Sequence, residues 1–342
     1  MLFSLLIAPA AAEAALPPSN PGTPPMSDSP WSLLPAASAN AEALDTLYIF
    51  FWILCGIAFV GMIGVQAYFM WKYKKPAEGH AKTSPLTHNG KLEFIWSAIP
   101  TFFFVILFAW GEIEFMKQAT PPPDAMDVRV TGQKWSWTIE YPEVKGCSLT
   151  NDLYVPVGVP MRLTMTSLDV IHSFYLPAFR LKKDVVPGRY TVLWFEATKP
   201  GLYPLMCTEY CGDEHSSMVG RVHVVAQEEY DAVLAKACEL KQGETEPLED
   251  FGARVVTRGG CASCHTTDGT VKTGPSFKGL FGRTETLSDG TTVTVDENYI
   301  RESILEPNAK IVSGFSPQMP SFAGRFDDKQ IAALIAYIKA QK

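Results

Sequence analysis

Residues 207–218 read Cys-Thr-Glu-Tyr-Cys-Gly-Asp-Glu-His-Ser-Ser-Met, which places two thiols, an imidazole and a thioether within twelve residues. Soft and borderline donors of this kind select copper over magnesium or calcium. One Cys, two His and a weak Met describe a mononuclear blue-copper site. The second Cys lets each sulfur bridge two ions, which suits a two-copper electron-transfer centre. His172, in the run Asp-Val-Ile-His-Ser over residues 169–173, offers the second imidazole from what reads as a strand end. Cys-x3-Cys by itself is also the spacing of a disulfide or a zinc half-site. Zinc, with four tetrahedral ligands, has little use for Met218.

A second chemical motif, Cys-Ala-Ser-Cys-His over residues 261–265, is the C-x-x-C-H signal for a covalent c-type haem. The thiols of Cys261 and Cys264 add to haem vinyl groups, and His265 is placed to bind iron from one side. Met319, on a Pro-constrained loop, is the candidate for the opposite axial position, giving the His/Met pair that raises haem potential.

The 207–218 loop resembles the binuclear CuA motif of cytochrome c oxidase subunit II. The resemblance implies that Cys207, Cys211, His172, His215 and Met218 are the side-chain copper ligands. It implies that Glu209 gives its backbone carbonyl to one copper and turns its carboxylate to a magnesium ion shared with subunit I. It implies a cupredoxin fold for the copper domain, with Trp135 above the copper receiving electrons. Lys134 and Ser136 depart from the Gln and Tyr that the family usually carries beside that Trp. Glu93, in a Leu-Glu-x-x-Trp context with His88 upstream, resembles the mouth of a proton path into subunit I. Residues 182–189 are further family-like sequence, and residues 274–280 resemble the cytochrome c loop beneath the haem.

Taken together, the chain resembles subunit II of a haem-copper oxidase with a fused C-terminal cytochrome c domain. Electrons would pass from cytochrome c or another donor through haem c to copper and on to subunit I, where oxygen is reduced and protons are moved. Subunits I and III would be its partners. A nitrous-oxide reductase carries a similar copper domain but needs a large His-rich domain, and this chain has six His in all. A copper chaperone would have no use for Met218 or the C-x-x-C-H segment.

These motifs need a membrane anchor and rigid scaffolds. Residues 47–71 lack any charge and as a helix would span about 37 Å, enough for the roughly 30 Å hydrocarbon core. Residues 94–111 form a second apolar run. Lys72, Lys74, Lys75, Lys82 and Lys91 lie between them and no Lys or Arg precedes Lys72, so the connecting loop is expected in the cytoplasm. Both termini are then expected on the periplasmic side of a bacterial inner membrane. Residues 128–225 show short apolar runs between Pro and Gly turns, which predicts about eight strands in a Greek-key sandwich or barrel. Trp135, Trp137 and Tyr141 share a face if residues 132–141 form one regular strand. Residues 228–240 have helical spacing, residues 241–247 read as a flexible linker with a reach of about 15 Å, and residues 327–340 read as an amphipathic helix.

The expected organisation is a signal-like segment and disordered tail over 1–40, a transmembrane hairpin over 41–120 and a cupredoxin-like domain over 125–226. A helix and linker over 227–246 and a small all-α class I cytochrome c domain over 247–342 complete it. Of seven cysteines, Cys55 reads as a small packing residue within the first apolar run. Cys147 and Cys238 are left either as a bridge, if both face an oxidising compartment, or as two free thiols. A net charge of −7 gives no basic footprint for nucleic acid. Residues 246–342 carry eleven Lys plus Arg and twelve Asp plus Glu, too balanced to steer a strongly charged donor.

Overall fold

The computed structural model describes residues 35–75, 77–78 and 84–342. The signal-like segment, most of the tail and Lys82 lie outside them. Ser38 starts helix α1 (Ala39–Lys72) by accepting from the Ala41 N–H, and Asn89 starts α2 (Gly90–Ala119) by accepting from Leu92. Both helices are long and apolar enough to cross a membrane, and their large side chains, such as Trp52, Phe59, Phe104 and Phe108, point outward. That is the distribution expected when lipid rather than a protein core is the solvent. Cys55 is exposed on α1, so it faces the surroundings instead of packing.

The expected disordered tail ends earlier than residue 40. Ala37 and Ser38 are fully buried. Ala37 donates to Ala178 and accepts from Thr198, and the Ser38 hydroxyl donates to the Phe179 carbonyl. These bonds, with a double Arg180–Asp45 contact at 2.9 and 3.0 Å, staple the start of α1 to the β-domain. The Trp194 Nε1–H donates to the Lys117 carbonyl at 3.1 Å and does the same for the end of α2.

The β-domain has ten strands: β1 (Met126–Gln133), β2 (Ser136–Glu140), β3 (Ser148–Thr150), β4 (Asp152–Pro156), β5 (Pro160–Ser167), β6 (His172–Leu176), β7 (Leu181–Val185), β8 (Thr191–Glu196), β9 (Gly201–Cys207) and β10 (Val219–Val225). They form two five-stranded sheets, ordered β3-β2-β1-β5-β8 and β4-β10-β9-β6-β7. Strand β5 alternates inward Met161, Leu163 and Met165 with outward residues, the period-two pattern of a half-buried strand. The count exceeds the eight expected partly because residues 148–156 divide between the sheets. Asn151 adopts a left-handed φ of 62°, which Asn tolerates better than most residues, and the chain crosses there. The expected single strand over 132–141 is also broken. Gly132 pairs with Trp137 and Gln133 with Ser136, so Lys134 and Trp135 are a two-residue hairpin turn. Trp135 therefore stands at a turn rather than within a strand, although it is buried in the same core cluster as Trp137 and Tyr141.

Beyond β10, α3 (Gln227–Cys238) buries Tyr230 and Leu234 on the sandwich. Residues 239–247 are not an open linker: Glu246 accepts from Arg254 and from the Gly243 N–H, folding the segment into a turn. The C-terminal domain comprises α4 (Leu248–Gly259), a short ladder of β11 (Thr284–Thr286) and β12 (Thr292–Thr294), α5 (Glu297–Leu305) and α6 (Asp328–Ala340). Asp327 and Gln330 close a capping box on α6, which satisfies two of the amides orphaned at a helix start. Gly252 lets α4 and α6 touch, because a Cβ there would lie 2.1 Å from the Ala333 carbonyl oxygen.

Cys147 and Cys238 are joined by a disulfide across 91 residues of sequence, tying the end of α3 to the start of β3. Closing so long a loop removes much unfolded-chain entropy. Replacing both residues by Ser is expected to cost the β-domain about 2–4 kcal/mol, read as a shift of its denaturation midpoint with the metal sites loaded equally. An unchanged midpoint would mean that the bridge adds no stability.

Candidate metal centres

Strands β6 and β9 pair with Phe174 opposite Cys207. This register sets His172, at the start of β6, beside the end of β9, with its Nδ1 4.0 Å from the Cys207 sulfur. The chain then leaves the sheet and returns at β10, and the Cys207 N–H closes the loop by donating to the Met218 carbonyl at 3.1 Å. A single 3-10 turn over His215–Ser217 holds His215 with Nδ1 3.4 Å from the Cys211 sulfur. The two sulfurs stand 3.8 Å apart and are free of each other. The Met218 sulfur lies 3.9 Å from Cys211, and the Glu209 carbonyl oxygen lies 3.3 Å from the Cys207 sulfur.

The donors therefore fall into two half-sets about a shared pair of sulfurs. Each sulfur has its own imidazole, and a weak donor follows it, thioether on the Cys211 side and carbonyl on the Cys207 side. This number and softness exceed what one tetrahedral zinc ion takes and fit two copper ions that share the thiolates. Burial opposes ionisation of Cys207, but hydrogen bonds from His172 and the surrounding backbone outweigh it and pull that thiol below its ordinary value. Burial, and then the charge of Cys207, push the Cys211 thiol up. A cation must therefore displace the Cys211 proton, and metal uptake strengthens as pH rises.

Asp169 is a positioning residue that the sequence reading passed over. Its Oδ1 accepts from His172 Nε2 at 2.8 Å and its Oδ2 from the Lys134 N–H at 2.8 Å. A carboxylate only accepts, so Nε2 carries a proton and Nδ1 is the ring atom that faces Cys207. One side chain thus orients a candidate ligand and fixes the turn that carries Trp135. Its signal was a carboxylate three residues before the His. Gly212 was passed over too: with φ +125°, a Cβ there would meet the Trp135 ring at 3.0 Å. Glycine lets the thiol loop lie against the indole, and Trp135 is only 2 % exposed.

In the C-terminal domain, Cys261, Cys264, His265 and Met319 line one cavity with apolar walls that include Phe277, Ile304 and Val312. His265 Nδ1–H donates to the Pro275 carbonyl at 2.8 Å, which leaves Nε2 as the free lone pair. Phe277 stacks on the ring at 4.7 Å. A Cβ on Gly274 would lie 2.6 Å from the same ring, so only glycine fits beneath it. Burial lowers the His265 pKa despite the Pro275 bond and keeps the imidazole neutral, the form that binds iron. Burial lifts the thiols of Cys261 to about 12 and Cys264 to about 11. An apolar cavity, two unlinked thiols, an oriented imidazole and a thioether fit a covalent haem.

Two other candidates stand apart. Glu93 lies in the first turn of α2, exposed, with its carboxylate accepting from the Asn89 N–H at 3.1 Å. There it satisfies a helix-end amide at the end of α2 away from the β-domain. The Glu209 side chain is exposed on the thiol loop.

The family described as "Cytochrome C oxidase subunit II, periplasmic domain" matches residues 147–225. "Cytochrome C oxidase subunit II, transmembrane domain" matches residues 28–111, and "Cytochrome c" matches residues 250–342. Cytochrome c oxidase subunit 2 of Alkalihalophilus pseudofirmus is 30% identical over 279 residues, covering 79% of each chain. The alternative cytochrome c oxidase subunit 2 of Bradyrhizobium diazoefficiens is 31% identical over 60% of this chain and 84% of its own. The periplasmic domain of cytochrome oxidase subunit II (CoxB) of Bradyrhizobium japonicum is 31% identical over 34% of this chain and 96% of its own, with a TM-score of 0.32.

Replacing Asp169 by Asn removes the anion that holds the His172 tautomer while keeping the side-chain shape. Copper affinity is expected to fall about 10–100-fold, measured by chelator competition, with the secondary structure unchanged by circular dichroism. Affinity equal to that of the unaltered chain would reduce Asp169 to a turn residue.

Proposed function

Because the chain belongs to the cytochrome c oxidase subunit II family, with two membrane spans, a periplasmic domain and a fused C-terminal cytochrome c domain, we propose specific residues for its electron path through a haem-copper oxidase. Cys207, Cys211, His172, His215, Met218 and the Glu209 carbonyl would hold the two coppers. Cys261 and Cys264 would hold haem c covalently, and His265 and Met319 would supply nitrogen and sulfur donors to its iron. When bound, both groups supply one-electron chemistry. The protein's part is to orient their ligands, to exclude water and to keep the two centres near each other.

The observation that carries this reading is the matched geometry around the sulfurs, with His172 Nδ1 on Cys207, His215 Nδ1 on Cys211 and a sulfur pair 3.8 Å apart. Two ions held by so matched a donor set would supply one-electron chemistry, and the chain's part is to hold the donors in that arrangement. Neither site offers an obvious vacant position for a substrate, so oxygen reduction falls to subunit I. Trp135, against the thiol loop through Gly212, receives electrons from the haem side.

The remaining assignments follow from the family and the charge pattern. Subunits I and III are the partners in the membrane, and cytochrome c or another one-electron carrier is the donor. The exposed Glu209 carboxylate binds magnesium at the subunit I contact, and Glu93 stands at the mouth of a proton path. The lysines between α1 and α2 keep that loop cytoplasmic and both termini periplasmic. By function the chain divides into a hairpin over 41–120, a copper domain over 125–226, a connector over 227–246 and a haem domain over 247–342.

Metal analysis of the purified chain is expected to give about two coppers and one covalent haem, the donor counts the two sites offer. EPR of the oxidised form is expected to contain a delocalised mixed-valence copper signal beside a low-spin haem. One exchangeable copper without haem would instead indicate a copper carrier.

A further inference from the structure

A groove of about 1350 Å³ runs between strands β1 to β3, the end of α3 and residues 324–330 of the C-terminal domain. It exceeds the roughly 300–1,000 Å³ of a small-molecule pocket. Its floor is polar, made by the half-buried Thr131, Gln133 and Thr138 of β1 and β2. Two arginines of the C-terminal domain reach across to the β-domain. Arg258 donates to the Ser148 carbonyl at 3.3 Å and also to that of Ala237, and Arg325 donates to the Thr138 hydroxyl at 3.5 Å.

The charge of the groove is one-sided. Arg129, Lys145, Lys236, Lys241, Arg258 and Arg325 line it against Glu140, Glu239 and Asp327, an excess of three positive charges on a chain whose net charge is −7. Lys241 pairs with Glu239 at 3.3 Å, and none of the other five cations has an ion-pair partner among the described residues. Four of the six stand outside residues 246–342, so the balanced count of that domain hides a field that two domains build together. Burial pulls Arg258 below its ordinary pKa, an effect that an anion beside it offsets.

Phe326 walls both this groove and the haem cavity. A Cβ on Gly259 would lie 3.1 Å from the Cys261 sulfur and 3.1 Å from Phe326 Cζ, so glycine lets the ring lie close to that thiol. Phe326 also stacks on the buried Phe322, with centroids 5.5 Å apart and planes 13° apart. We propose that the groove is the docking surface of the outside electron donor, and that this donor is a protein with an acidic face. The proposal rests on the haem site assigned above. A carrier seated in the groove stands against the haem cavity across a wall that includes Phe326. It gives up one electron to the haem, and no bond forms or breaks. A polar floor suits a partner that must leave after each electron, because transient redox contacts are small and wet, and opposite charge raises the rate of encounter.

The test uses the full chain in a neutral detergent with its covalent haem first quantified. The probes are two reduced blue-copper proteins of similar size and potential, one acidic and one basic, so that donor and haem are read at separate wavelengths. In stopped-flow mixing at low salt the acidic donor is expected to reduce the haem about tenfold faster than the basic one, and the gap is expected to close as salt is raised. Lys145 and Lys236 are exposed and neither lines the haem cavity. Lys145→Glu combined with Lys236→Glu should slow the acidic donor about tenfold at low salt and leave reduction by a small neutral quinol unchanged. A haem-loaded native chain that takes electrons equally fast from both donors, or a double variant as fast as the native chain with the acidic one, overturns the dock and leaves the haem site standing. A variant that slows the quinol as much as the acidic donor also counts against the dock. A native chain without covalent haem overturns the haem site, and the dock's role with it. If the variant does not fold, the two donors and their salt dependence on the native chain decide.

Discussion

The pairing of β6 with β9 is the constraint on which the candidate metal site depends. Phe174 opposite Cys207 fixes His172 beside the first thiol, and a one-residue slip would turn every side chain of β6 to the other face. The rest of the thiol loop needs only local geometry, a backbone bond from Cys207 to Met218 and one 3-10 turn. A sheet contact therefore joins residues 35 apart in sequence, and a loop of twelve residues supplies the others. A rigid sandwich under such a loop limits rearrangement when charge arrives or leaves, which is what rapid electron transfer requires.

Much of this was legible in the sequence because the chemistry is local. The thiol loop and the C-x-x-C-H run announce themselves by spacing, and the membrane helices by uninterrupted apolar length. What was hidden depends on the backbone. Residues 132–141 alternate as a strand does, yet the chain turns at Lys134 and Trp135, and that turn delivers Trp135 to the loop. Asn151 splits one apparent strand between two sheets through a left-handed φ of 62°. Ala37 and Ser38, in a Pro- and Ser-rich stretch, read as solvent-exposed, but their hydrogen bonds to Ala178, Thr198 and Phe179 bury them. The role of Asp169 needed the distance to Lys134, which no spacing rule gives.

Two of the three candidate histidines, His172 and His265, show the same device in mirror image. His172 is held through Nε2 by a carboxylate and offers Nδ1, whereas His265 is held through Nδ1 by a carbonyl and offers Nε2. In each case an acceptor behind the ring fixes the tautomer before any metal arrives. The two rings belong to different domains, and Trp135 lies between those domains, touching the loop of one and walling the cavity of the other. The fold thus turns two separate candidate redox sites into neighbours whose separation is set by packed backbone instead of by diffusion.

That separation is most directly tested by injecting a single electron into the haem of the full chain with a rapid photochemical pulse and following its arrival at copper. Transfer within one molecule predicts first-order kinetics with a rate constant that does not change as protein concentration is varied. A rate that rises in proportion to concentration, or an electron that stays on the haem, would contradict the account.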